Sequence, residues 1–252
     1  MGKSAEIRIQ VWTEHFLGTR SLGEAFIELL HRLDGGRWVP DKWDHYEPVR
    51  RSYEANSKED VLSALAESRS GRIANNVNFV KLRPHASFSL NVWRSRVEDM
   101  NRVYADFDAK AFSTADGPTR ISSIVEDLVK WSGAVFASAR HTRQEHWRVA
   151  QKTPRERVQE MDWLTFLGQP YIELFGGKER VLQAPCHMIN ELNGGLVLIA
   201  APRPDSPEIT DSSAVLLSLE EFLGADAFAG RGYPEIPCRV PIFDLSETVN
   251  AP

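Results

Sequence analysis

Two acids and a lysine at alternate positions, Asp106-x-Asp108-x-Lys110, are the sharpest chemistry that the amino-acid sequence offers. At the end of a strand, alternate carboxylates share one face and can hold a divalent ion while the lysine steadies an attacking water, as in many metal-dependent nucleases. Asp41, after Pro40, would have to serve as the partner acid. It lies far upstream in a loop, with a helix intervening, rather than on a neighbouring strand. The tripeptide is also common by chance, so a plainer reading stands beside the nuclease one: these acids end a strand and open a connector.

The remaining constellations fail on spacing. His141 and His146 are five residues apart, which on a helix separates them by about 140°, and no HExxH pattern occurs. Cys186 and His187 are adjacent, so on a strand they face opposite ways and cannot form a thiolate–imidazole pair. Gly176-Gly177-Lys178 looks like a piece of a phosphate loop, yet Glu179 follows where Ser or Thr is needed and Ile172 takes the upstream glycine position. The expectation is a chain that is not an enzyme, with no catalytic, cofactor-binding or metal-binding residues.

The elements that would position such groups follow from periodicity. Glu6–Trp12 alternates Ile7, Ile9 and Val11 with polar partners, a strand pattern. Ser21, with Glu24 three residues on, predicts a capped helix through Leu22, Phe26, Leu29, Leu30 and Leu33, stopped by Gly35-Gly36. Residues 38–49 read as an aromatic packed loop, and Ser57 with Asp60 opens a second helix to Ser68. Three strands, 72–82, 86–93 and 101–108, form an antiparallel meander. A connector, 108–119, leads to a helix over 121–131 and a buried strand over 133–139. Trp163–Leu167 and Tyr171–Phe175 come next. A hairpin of 181–189 with 194–201 turns at Asn193-Gly194, and a last helix covers 218–223. The fold class is α+β, antiparallel or mixed sheets flanked by helices. It forms two similar-sized lobes, 1–112 and 113–252, or alternatively one continuous domain.

With 252 residues, 42% hydrophobic and 26% charged, the chain can build a sizeable core. Its two cysteines are too few for a disulfide framework, and both are expected reduced. No apolar run is long enough to span a bilayer and charge interrupts the first residues, so a cytoplasmic location is expected. The net charge of −5 is unevenly spread: from Asp205 onward there are nine acids and two arginines, whereas 140–157 holds six bases and two acids. The basic segment has His146 and Trp147 for stacking, but a pI of 5.8 argues against nucleic-acid binding as the main function. The acidic segment can equally be a solvated surface or a face that steers a basic partner.

Two aromatic runs stand out: Trp38, Trp43 and Tyr46, and Trp163, Phe166, Tyr171 and Phe175. Such residues either lock loops onto a core or form a recognition surface. The segments that carry them, WVPDKWDHYEP (38–48), DWLTFLG (162–168) and PYIELFG (170–176), resemble bacterial immunity proteins, in particular the immunity protein 52 group. Proteins of that group guard a cell against polymorphic or type VI secreted toxins, usually restriction-endonuclease-like nucleases. The resemblance implies an α+β, non-enzymatic antagonist that binds one cognate toxin encoded by a neighbouring gene. It implies no direct contact with nucleic acid or membrane, and it carries over no catalytic or toxin-contacting position. A nuclease has a basic groove, so Glu208, Asp211, Glu220, Glu221 and Asp226 are the expected contact residues, by mimicry of a phosphate backbone. The competing classes are the acid-x-Lys nuclease and a generic protein-binding adaptor.

Overall fold

The computed structural model describes residues 5–54, 57–66, 75–93, 100–143, 154–155, 158, 160–228 and 239–243. They divide into two compact units, up to Ala134 and from Val135 onward. The division expected at 112/113 falls inside the first of these.

The first unit begins with β1 (Glu6–Thr13), in which Ile7, Ile9 and Val11 turn into the core. Next is α1 (Arg20–Arg32). Its N-cap is Thr19, not Ser21: Thr19 is extended and its hydroxyl accepts the Leu22 N–H at 3.3 Å, which leaves Ser21 inside the first turn. The predicted stripe of Phe26, Leu29, Leu30 and Leu33 is buried. The chain leaves α1 through Asp34, left-handed at φ 51°, ahead of Gly35.

Residues 38–49 are not wholly irregular. Trp43 anchors β2 (Lys42–Asp44), which pairs with both β3 (Arg51–Ser52) and β4 (Asn75–Lys81). Between β3 and β4 lies α2 (Ser57–Ala66). Gly23 on α1 faces Leu62 and Leu65 of α2, and an added Cβ there would come within 2.8 Å of Leu62. The meander is formed as expected by β4, β5 (Ala86–Val92) and β6 (Asn101–Asp108). Six strands thus lie in the order β3-β2-β4-β5-β6-β1, all antiparallel. The connector after β6 contains a 3-10 turn, and α3 (Gly117–Ser132) starts four residues before the predicted helix. A side chain at position 117 would overlap the Phe112 carbonyl, so only glycine allows α3 to begin there.

In the second unit the order is β7 (Phe136–His141), β8 (Leu164–Leu167), β10 (Gly195–Ile199) and β9 (Met188–Leu192), again antiparallel. Strand β7 begins later than predicted because Gly133, at φ 60°, ends α3. Every residue of β8 and β10 is buried, β10 as a continuous apolar run and β8 with Thr165, whose hydroxyl accepts the Asp162 N–H at 3.2 Å. Tyr171 lies in α4 (Gln169–Leu174) and Val181 in α5 (Lys178–Val181). The first hairpin arm therefore starts at Met188, not Val181, past Pro185, which has no N–H to give a ladder. Asn193 and Gly194, at φ 48° and 77°, make the predicted tight turn. After β10 come α6 (Pro207–Thr210) and α7 (Ala214–Leu223), the latter longer than predicted. No helix of the described residues is long and apolar enough to cross a membrane.

Candidate functional site

The acid-x-Lys residues do not assemble a metal centre. Asp106 projects from β6 and is clamped by Arg8 of β1, whose Nε and Nη2 donate at 2.6 and 3.2 Å, and the bond to Asp106 raises the guanidinium pKa. Asp108 caps the 3-10 turn by accepting the Lys110 N–H at 3.1 Å. Asp41 is held elsewhere, by Lys81 at 2.9 Å and the Leu82 N–H at 2.7 Å. These two bonds outweigh the effect of desolvation, so its carboxyl titrates below the ordinary range. Among the described residues, no three His, Cys, Asp or Glu side chains are grouped so as to hold a metal ion.

His141 ends β7, where it is buried and its Nδ1 accepts the Arg143 N–H at 3.2 Å. Burial first, and the neighbouring Arg143 second, hold its imidazole below the ordinary 6.5. His146 and Cys238 lie outside the described residues, as does most of the basic segment. Burial pushes the Cys186 thiol up, away from the reactive thiolate. Lys178 of the GGK sequence forms an ion pair with Glu191 at 2.7 Å.

The five expected contact residues separate into three kinds. Glu208, Asp211 and Glu221 are exposed, and none has a cationic partner among the described residues. Asp226 is half-exposed but neutralised. Arg239 grips it with Nε at 2.5 Å and Nη2 at 2.9 Å while donating to the Leu174 and Leu223 carbonyls at the ends of α4 and α7. The bond to Arg239 holds the Asp226 carboxyl below its usual range. Glu220 is a correction to the expected contact set: it is 3% exposed and its Oε1 accepts the buried Met161 N–H at 2.8 Å. Leu216, Leu219, Glu220 and Leu223 fall at i, i+3, i+4 and i+7, the core stripe of α7, and that spacing is the signal that distinguishes Glu220 from Glu221.

The aromatic runs are core. Trp38, Trp43, Trp163, Phe166, Tyr171 and Phe175 are all buried, and of the quoted aromatics only Tyr46 is exposed. Trp38 Nε1 donates to Asp34 at 3.0 Å, and Trp163 Nε1 to the Ala201 carbonyl at 2.7 Å. Asp34 also receives Arg120 Nε and Nη2, at 2.8 and 2.5 Å, tying α3 to the end of α1. The segments that resemble the immunity protein 52 group therefore describe packing, and a recognition surface made of the six buried rings is excluded by their burial.

These elements define an α+β protein of antiparallel strands flanked by helices. No family model matches the sequence, and no curated protein does, so the likeness to the immunity protein 52 group remains one of wording. Among solved structures, the chain is similar to the Pseudomonas aeruginosa T6SS protein PA0821. The TM-score is 0.61, with 15% identity, over 95% of this chain and 79% of that one. At that identity the likeness carries the fold and no individual residue.

Proposed function

We propose that the chain is a type VI secretion immunity protein, a non-enzymatic cytoplasmic antagonist that binds and neutralises one cognate toxin, a restriction-endonuclease-like nuclease. The observation that carries this reading is the fold held in common with a T6SS protein over 95% of the chain. The wording of residues 38–48 and 162–176 supports it independently. The exposed carboxylates Glu208, Asp211 and Glu221, with no cationic partner among the described residues, suit a partner with a basic groove, since opposite fields speed encounter and fix orientation. Glu220 and Asp226 are not contact residues in this reading, being committed to the Met161 amide and to Arg239.

The test is co-purification with the product of the adjacent reading frame, followed by a nuclease and toxicity assay with and without this chain. The expected outcome is tight one-to-one binding that abolishes the neighbour's activity. Magnesium-dependent cleavage by this chain alone, lost in Asp108→Ala, would instead make it the enzyme.

A further inference from the structure

Among the described residues none pairs with the outer edge of β9, which is an open hydrogen-bonding surface with respect to them. The parity of its backbone groups follows from the next strands inward. The Ala200 N–H donates to the Trp163 carbonyl at 2.8 Å, so the even-numbered residues of β10 turn their backbone groups toward β8 and the odd-numbered ones toward β9. Register then makes Met188, Asn190 and Leu192 the β9 residues bonded to β10, and leaves the N–H and C=O of Ile189 and Glu191 pointing outward.

Natural sheets guard such edges with proline, charged side chains (lysine above all), a bulge or a covering loop. Strand β9 reads Met-Ile-Asn-Glu-Leu, with no proline, lysine or bulge, and its one charge, Glu191, is neutralised by Lys178 at 2.7 Å. Met188 is 42% exposed, and Leu182, just upstream, 45%.

We propose that β9 docks a second copy of this chain by antiparallel β9–β9 pairing about a two-fold axis through Asn190. The strand is self-complementary in that register. Ile189 of one copy faces Glu191 of the other, and these are the residues whose backbone groups point outward, so both such pairs can exchange N–H and C=O bonds. Met188 falls opposite Leu192 on the other face, covering an exposed apolar side chain. No like charges oppose, and each Glu191 keeps its own Lys178. Centring on Glu191 would set two carboxylates face to face, and centring on Ile189 would carry the pairing past the strand's start at Met188. The strand pair alone is smaller than a standard interface of roughly 1,600 Å², so the expected dimer is weak. This inference is independent of the toxin reading.

Sedimentation equilibrium of the full chain from about 1 μM to about 1 mM is the test. The expected result is a reversible monomer–dimer equilibrium. Ile189→Pro, which removes an outward N–H and leaves the bonds to β10 intact, should raise Kd by about tenfold or more. Ile189→Glu, which puts a carboxylate opposite Glu191, should do the same, and Ile189→Glu with Glu191→Lys and Lys178→Glu, which keeps the ion pair within each copy, should return Kd to within about threefold of the parent. Unfolding midpoints establish that each variant is folded, and Glu191→Pro replaces any variant that is not. A chain that stays monomeric throughout overturns the proposal and leaves the edge for a strand of another protein. So does a dimer indifferent to the proline variants, or one that the charge swap does not restore.

Discussion

The two units hold their structural carboxylates differently. In the first, three acids pair with cations across elements, Asp34 with Arg120 (and with the Trp38 indole), Asp106 with Arg8 and Asp41 with Lys81, while Glu28, Glu47, Glu54 and Asp60 are exposed with no cationic partner among the described residues. Each ion pair joins residues far apart in sequence, so its charge belongs to the architecture. In the second, Glu220 accepts a buried backbone N–H and Asp226 pairs with Arg239, while Glu208, Asp211 and Glu221 are exposed with no cationic partner among the described residues, Asp211 accepting the Thr210 hydroxyl at 2.8 Å. Spacing along an element marks Glu220 as structural, whereas for Asp34, Asp41, Asp106 and Asp226 a tertiary partner decides it.

The largest effect should come from the first unit. Asp34→Ala strands the Arg120 guanidinium and the Trp38 indole, and it places a β-carbon without a local hydrogen bond at φ 51°. The expected loss is about 3 kcal/mol in denaturant unfolding, at the lower end for a broken ion pair because the side chains retain some exposure. In the second unit, Glu220→Ala orphans the buried Met161 amide and should cost roughly 1–3 kcal/mol. If Glu220→Ala behaves like a surface change, the division between structural and open acids fails.

A pH titration sharpens the same contrast. His141 titrates below its ordinary 6.5 when folded, so the unfolded chain takes up a proton first. Its contribution is complete above pH 6.5 and is lost as pH falls through the depressed folded value. The unfolding midpoint should therefore drop on acidification below pH 6.5, and His141→Gln should flatten that slope. A slope unchanged by the substitution would separate the imidazole from acid sensitivity. The smallest effect is expected from Glu208→Lys, Asp211→Lys and Glu221→Lys, each within about 0.5 kcal/mol of the parent in unfolding experiments.

Much of the fold was legible in the sequence because its signals are local. The alternation of Ile7, Ile9 and Val11, the meander over residues 75–108 and the Asn193-Gly194 turn were all readable from short windows. What failed was decided by tertiary packing. Thr19 outcompeted Ser21 as a cap because the chain enters α1 extended at that residue. Trp43 turned a presumed loop into a strand by pairing beside Phe79. Of the candidate contact residues, Glu208, Asp211 and Glu221 lie on the surface as expected. The burial of Glu220 was readable from its spacing to Leu216 and Leu223, whereas the capture of Asp226 by Arg239, thirteen residues away, was not. The aromatic segments were conspicuous for a physical reason: large rings that fill a core leave strong sequence wording, and an exposed docking face need leave none.

The most direct measurement is the association rate with the cognate toxin, taken across a salt series for the parent chain and for the triple variant Glu208→Lys/Asp211→Lys/Glu221→Lys. If the open acids steer the partner, the variant should associate about tenfold or more slowly at low salt, with a flattened salt dependence and unchanged stability. Identical rates and salt slopes for the two proteins would contradict the account and remove this face from the interface.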